Sequence, residues 1–333
     1  MIISRTPFRI SFFGGGTDYP AWYEKHVGRV INATINKYCF ITVRYLPPFF
    51  KYKHRVRYYL HEEAQTLDEI KHPSVRESAK YLKINKGIEI VHNADLPAQS
   101  GLGSSSTFTV GLLNALYAMK NYMPTKRELA LDAIHVEQSL IMENVGSQDQ
   151  TAAAFGGLNR ITFNGGKDIE VEPIIISDKR RNALQENLML FFTGFARTAS
   201  DIAKTQIEIT SKKEQELNRM MEICDEGLKR LTDSKESLDK FGELLNEQWK
   251  LKRDLTNKIS NEDIDDIYNK GINAGALGGK LLGAGGGGFM LFYVPKKNQE
   301  KVKNALSAKL FVPIRFEYTG SKIIYYSHND SED

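Results

Sequence analysis

Residues 94 to 116 read ADLPAQSGLGSSSTFTVGLLNAL, a strand end, a glycine loop and an amphipathic helix in succession. Gly101 and Gly103 let the backbone wrap an anion. The amides of Ser104, Ser105 and Ser106 fall in the first helical turn, where free N–H groups and the helix dipole favour phosphate. Their hydroxyls can add a magnesium ligand. A serine at a helix start often does no more than cap it. One would suffice for that, and three after GLG favour a phosphate site.

Two carboxylates follow. Ala130, Ile134, Glu137 and Ile141 share a helix face at spacings of four, three and four, so Glu137 stands in line with inward-packed residues. An ionised carboxylate there is costly unless paired or bound to metal, and a buried salt bridge is the plainer alternative. Asp149 lies in ENVGSQDQTAAAFGGLN, which reads as a small-residue loop between helix and strand, the kind of segment that carries catalytic groups on a rigid scaffold. Such a pair can divide the work of metal ligand and base.

Two other glycine clusters compete for a phosphate, FGGGTDY at 13 to 19 and LGGKLLGAGGGGF at 277 to 289. The latter holds a GxGxxG at Gly283, Gly285 and Gly288, but it runs into the strand FMLFYV where a dinucleotide loop opens a helix. Leu281 stands where a Walker loop needs Ser or Thr. A tight turn, or close packing of backbone against another loop, is the expectation for residues 283 to 288.

The elements that must position these groups alternate in period. IISRTPFRISFF, RVINATINKYCFITVRYL, HRVRYYLH and KGIEIVHNADLP read as strands. Helical spacing starts at Ser104, and a second helix opens at Thr125 with Glu128 completing a capping box. FGGLNRITF and IEVEPIII return to strands. Residues 61 to 82 read as a helical excursion without metal-ligand spacing. A fresh strand begins near residues 184 to 187, followed by a charged helical tract over 199 to about 275 and by strands at GFMLFYV and PIRFEYTGSKIIYYSH. The expected division is therefore 1–185 and 186–333, both α+β.

Composition excludes several classes. The 333 residues carry 45 Lys+Arg against 41 Asp+Glu, a mild net charge of +4 without the basic clusters nucleic acid requires. Cys39 and Cys224 have no CxxC spacing. No stretch approaches the roughly 18 apolar residues of a membrane span, and MIISRTPFRIS has no apolar signal core, so a soluble cytoplasmic protein is expected. Tyr19, Trp22 and Tyr23 are candidates for lining a pocket, with core packing the better reading for at least one.

Three segments in order, RTPFRISFFGGGTDY, PAQSGLGSSS and LGGKLLGAGGGGF, resemble the three motifs of the GHMP kinases and span essentially the whole chain. The resemblance implies a two-domain α+β fold, with a mixed-sheet N-terminal domain, a ferredoxin-like C-terminal domain and the active site in the cleft. It implies ATP and Mg2+ as co-substrate and cofactor, and a small sugar or sugar phosphate as acceptor. Carried over by motif, Pro97, Ser100, Gly101, Leu102, Gly103, Ser104, Ser105 and Ser106 would cradle the nucleotide phosphates. Ser105 and Glu137 would hold the metal, Asp149 would be the catalytic base with Arg9 beside it, and Asp18 would bind sugar hydroxyls. Nucleic-acid and membrane partners are not implied, and the chain is expected to be a monomer or homodimer.

Within the family the first motif is most similar to kinases that phosphorylate the anomeric hydroxyl of D-glycero-D-manno-heptose 7-phosphate for surface polysaccharide. Kinases of fucose or galactose are the close alternative, and a silent sugar sensor on the same scaffold a third. Galactokinases place Glu-His where this chain has Gly15 and Gly16, ahead of Thr17 and Asp18. Loss of that carboxylate suits an acceptor bearing its own phosphate. Arg197 is then the first candidate cation for that phosphate and Lys204 a weaker one.

Overall fold

The computed structural model describes residues 1–194 and 199–327. In chain order the strands are β1 (Ile2–Phe13), β2 (Gly28–Tyr45), β3 (His54–Arg57), β4 (His61–Ala64), β5 (Ile88–Ala94), β6 (Leu158–Phe163), β7 (Ile169–Pro173), β8 (Leu188–Phe192), β9 (Gly278–Leu281), β10 (Phe289–Tyr293), β11 (Leu310–Val312) and β12 (Lys322–Tyr326). The helices are α1 (Pro20–Tyr23), α2 (Pro73–Tyr81), α3 (Ser104–Met119), α4 (Lys126–His135), α5 (Gln148–Phe155), α6 (Asp178–Glu186), α7 (Ala199–Ile209), α8 (Glu214–Thr232), α9 (Asp239–Leu255), α10 (Glu262–Asn273) and α11 (Gln299–Ala305).

The long strand β2 organises the first sheet. It pairs with β1 along most of its length, with β6 over its first half and with β5 over its second, all antiparallel. β3 joins β5 in parallel and carries β4, so the sheet is mixed. The segment expected to be helical from 61 to 82 begins as β4, and only its end, α2, is helix. Helix α3 lies across β1 and β2 and is buried nearly all round, so the expected amphipathic pattern is absent. The Ser4 hydroxyl donates to the Gly111 carbonyl at 2.7 Å.

The second sheet runs β11-β8-β10-β9, antiparallel throughout. Read as β8, helices, β9, β10, α11 and β11, it is the βαββαβ order of a ferredoxin-like unit. The last strand, β12, returns to pair with β1, so the first sheet includes residues from beyond the expected division at 185/186. Helices α8 and α9 press on β1, with Phe241 edge-on to Phe12 at 5.3 Å and to Phe13 at 4.8 Å. Trp22 and Tyr23 are core residues, Tyr23 stacking on Phe163 at 5.4 Å.

Candidate active site

The glycine loop before α3 is built by left-handed backbone: Gly101 has φ +78° and Gly103 φ +77°. Gly103 caps α3, whose first turn is Ser104, Ser105 and Ser106. Ser104 Oγ closes the loop by accepting from the Gln99 amide at 3.0 Å. Pro97 is exposed, whereas Ser100 is buried with its hydroxyl unpartnered. The third glycine cluster locks this loop from behind. A Cβ on Gly101 would lie 2.4 Å from the Leu282 carbonyl oxygen, one on Gly283 2.5 Å from the Gly101 Cα, and one on Gly288 2.2 Å from the Ser100 carbonyl. Residues 283 to 288 thus pack backbone on backbone against the loop, as their run into a strand suggested. Gly283→Ala, at φ +77°, is expected to cost more than about 1 kcal/mol of stability and to raise KM for ATP, measured by urea unfolding and steady-state kinetics.

Arg9, on β1, is 3% exposed and forks onto Asp149, with Nε to Oδ1 and Nη2 to Oδ2 both 2.7 Å. Its third arm, Nη1, donates to the Gly101 carbonyl at 2.8 Å. One guanidinium therefore ties the carboxylate to the glycine loop in a bidentate geometry of high specificity. Asp149 is not on a loop as expected: Thr151 and the alanines Ala152 to Ala154 extend α5 back to Gln148, placing Asp149 in its first turn. That position suits an anion. Its side chain remains about one quarter exposed, at 24%.

Glu137 is fully buried. The expected α-helical stripe is broken, because Val136–Leu140 form a π-turn at the end of α4. Ile134 and Ile141 are consequently only half-buried. Glu137 Oε2 accepts from Ser106 Oγ at 2.7 Å and from Gln150 Nε2, while Oε1 has no partner. Burial, reinforced by the nearby Glu143 charge, pushes its carboxyl up to about 7 despite these hydrogen bonds. Ser106, and not the expected Ser105, is the serine on Glu137; Ser105 is exposed on the adjacent helical position.

Beyond the strand β1, Asp18 is buried and accepts from the Gly16 amide at 2.9 Å. Burial pushes its carboxyl up, opposed by that amide and by Arg9. Thr17, expected to face substrate, does not: its hydroxyl donates to the carbonyls of Gly14 at 2.8 Å and Arg29 at 3.0 Å and holds the turn. The three early glycines differ in purpose. Gly14 abuts the Arg29 carbonyl, where a Cβ would lie at 1.8 Å, and Gly16 needs its φ of +114°. Only Gly15 has room, its nearest neighbours Gln148 Nε2 and Ser11 Oγ both 3.7 Å from an added Cβ. Arg197 lies outside the described residues, and Lys204 is exposed.

Two lysines of this centre were not anticipated. Lys252 on α9 and Lys280 on β9 are both buried. Lys252 feels the charges of Asp18, Arg9 and Asp149, and Lys280 those of Lys252, Arg9 and Asp18. Lys280 sits in GGKLL, whose sequence signals only a failed match to a Walker loop. Lys252 sat on a charged helical tract, where a lysine reads as solvated surface.

A glycine loop at a helix N-terminus, a buried carboxylate beside its serine and an Arg–Asp pair tied to the loop are brought together here, a set of groups suited to phosphoryl transfer. The family models "GHMP kinases N terminal domain" and "GHMP kinases C terminal" match residues 71–157 and 226–311. The chain is 31% identical over 318 residues to the D-glycero-alpha-D-manno-heptose 7-phosphate kinase of Campylobacter jejuni subsp. jejuni serotype O:2, covering 91% of this chain and 92% of that protein. Among solved structures, a D-glycero-D-manno-heptose 1-phosphate kinase from Bacteroides thetaiotaomicron superposes with TM-score 0.73 at 23% identity, covering 98% of this chain and 100% of that one. Lactococcus lactis galactokinase complexed with galactose gives TM-score 0.74 at 19% identity, over 96% and 94% of the two chains. The chain belongs to the GHMP kinases. It is a phosphotransferase with a hydroxyl acceptor and ATP as co-substrate. Among the described residues no helix is long and apolar enough to cross a membrane.

Proposed function

We propose that the chain transfers the γ-phosphoryl group of ATP to the anomeric hydroxyl of D-glycero-D-manno-heptose 7-phosphate, with Asp149 as base. The observation that carries this reading is the single guanidinium of Arg9 joining Asp149 to the Gly101 carbonyl, which sets the base beside the phosphate loop. The similarity over nine-tenths of the chain to a heptose 7-phosphate kinase supports the acceptor.

Asp149 accepts the proton of the C1 hydroxyl as its oxygen bonds to the γ-phosphorus and the bond to ADP breaks. An anomeric hydroxyl is more acidic than an ordinary alcohol, so a carboxylate suffices. Arg9 fixes the orientation of Asp149 and stabilises charge on the attacking oxygen. The amides of Ser104 to Ser106 hold the phosphates, and Asp18 holds sugar hydroxyls. The donor set fits Mg2+: Glu137 Oε1 is buried without a partner and the Ser106 hydroxyl is at hand, with Ser105 the neighbouring alternative. Nucleotide-bound Mg2+ needs only one or two protein oxygens. A Mg2+ held by these residues would supply positive charge to offset that of the nucleotide phosphates. A non-catalytic sensor is disfavoured, because Asp149 and Arg9 are both present and paired.

The deciding experiment measures ATP turnover with Mg2+ against heptose 7-phosphate, mannose 6-phosphate, fucose, galactose and mevalonate. Heptose 7-phosphate is expected to exceed every other acceptor in kcat/KM by about tenfold or more. Faster turnover of fucose or galactose would leave the kinase and remove this acceptor. Gly15→Glu tests the sugar end, since an added Cβ there meets only ordinary van der Waals contacts at 3.7 Å. The added carboxylate is expected to raise KM for the phosphorylated acceptor by about tenfold, with a smaller rise for unphosphorylated heptose.

A further inference from the structure

We propose that Gln248, Lys252 and Lys280 form a subsite for a phosphoryl group beside the Phe12–Gly14 end of β1; the inference rests on the kinase reading above. Gln248 and Lys252 are one helical turn apart on α9 and so share a face, and Lys280 projects from β9. Gln248 Oε1 accepts from the Gly14 amide at 3.4 Å, which leaves Nε2 buried and unpartnered. Lys280 donates to the Phe12 carbonyl at 3.0 Å, and Lys252 to the Gly283 carbonyl. Each ammonium has three donors, and among the described residues neither forms an ion pair.

The charges do not balance. Arg9, Lys252 and Lys280 are three buried basic side chains. The carboxylates acting on both lysines are few: Asp18 reaches each of them, and Asp149 reaches Lys252. Asp149 is already committed to Arg9, and burial disfavours the charged form of Asp18. Burying an ammonium without a counter-charge is costly, and burial accordingly depresses Lys252 to about 8 and Lys280 well below its ordinary value. The groups still unused at this turn, two ammoniums and an amide N–H, are all donors. A phosphoryl group, whose oxygens only accept, supplies what they lack. Two sources share that chemistry, the phosphoryl in transit from the nucleotide and the phosphate carried by the acceptor.

The test compares Lys252→Met, Lys252→Arg and Lys280→Met with the wild type, using heptose 7-phosphate and unphosphorylated heptose. Lys252→Met is expected to lose about a hundredfold in kcat/KM on the phosphorylated acceptor, with about tenfold recovered in Lys252→Arg. Equal losses on both acceptors assign the subsite to the nucleotide's phosphoryl; a loss confined to the phosphorylated acceptor assigns it to the acceptor's phosphate. Methionine variants that fold and stay within about threefold on both acceptors, or an arginine variant that recovers nothing, overturn the subsite and leave the lysines as ties for backbone carbonyls. If the methionine variants do not fold, Gln248→Leu decides. Inorganic phosphate, without nucleotide, is expected to raise the melting temperature of the wild type by at least twice the rise in that variant, and equal shifts overturn the proposal. This last measurement does not depend on the sugar, so a wild type that fails to turn over heptose 7-phosphate would end the substrate reading separately.

Discussion

Asp149→Asn is expected to lower kcat by about a hundredfold or more while ATP affinity stays near the wild-type value. The substitution conserves shape but removes the proton acceptor. It also turns an amide N–H toward one arm of Arg9, which now donates to both carboxylate oxygens at 2.7 Å. Nucleotide binding should survive because the phosphate loop is held by other contacts: Arg9 Nη1 on the Gly101 carbonyl, the Gln99–Ser104 closure and the glycines behind it. Calorimetric titration of a non-hydrolysable ATP analogue, beside steady-state turnover, separates the two effects. Full activity in this variant would remove Asp149 from the mechanism.

Glu137→Gln should separate activity from stability in opposite directions. Activity is expected to fall by about a hundredfold, with the Mg2+ concentration for half-maximal rate raised, because an amide is a poor partner for a hard cation. Stability without metal is expected to rise at alkaline pH. In the folded protein burial raises the Glu137 carboxyl from 4.5 to about 7. The folded state thus holds a proton the unfolded chain has released. Stability declines as pH climbs through that window, by about 1.4 kcal/mol per unit and about 3 kcal/mol in all. Glutamine cannot titrate, so the variant should lose that slope and melt above the wild type at pH 8. Glu143, also raised by burial, leaves a smaller residual slope. Melting curves from pH 5 to 8, with and without Mg2+, check this; parallel slopes in the two proteins would show that Glu137 does not carry the burden.

Legibility in the sequence followed how local each feature is. The capping box at Thr125 and Glu128 closes within one turn and is present. The loop of Gly101 and Gly103 depends on backbone preference and lies where the motif placed it. The small residues around Asp149 in GSQDQT read as a loop, yet α5 begins at Gln148, just ahead of it. The π-turn at Glu137 inserts an irregularity that a 3.6-residue period cannot show. Ser105 and Ser106 point differently from α3, and only the placement of α4 decides which meets Glu137. Residues 61 to 64 become a strand because β3 offers them a partner.

The sequence by itself determined the family and the class of chemistry, and it named candidates for the groups that would perform it. A phosphate loop needs glycines and a helix start, a base needs a carboxylate, and both are written in residue type and short spacing. Tertiary structure alone decided which distant groups meet. Arg9 and Asp149 are 140 residues apart and form one ion pair. Gly101 and Gly283 are glycines because their backbones touch although 182 positions separate them in the chain. Gly14, Gly15 and Gly16 look equivalent in the chain, yet one is pressed against a carbonyl, one has room and one needs its φ. Lys252 looks like ordinary surface charge on a charged helix and Lys280 like part of a glycine loop, yet both are buried. Local preference acts over a turn of helix or a pleat of strand, whereas burial, charge balance and close approach are set by chain segments that only folding brings together.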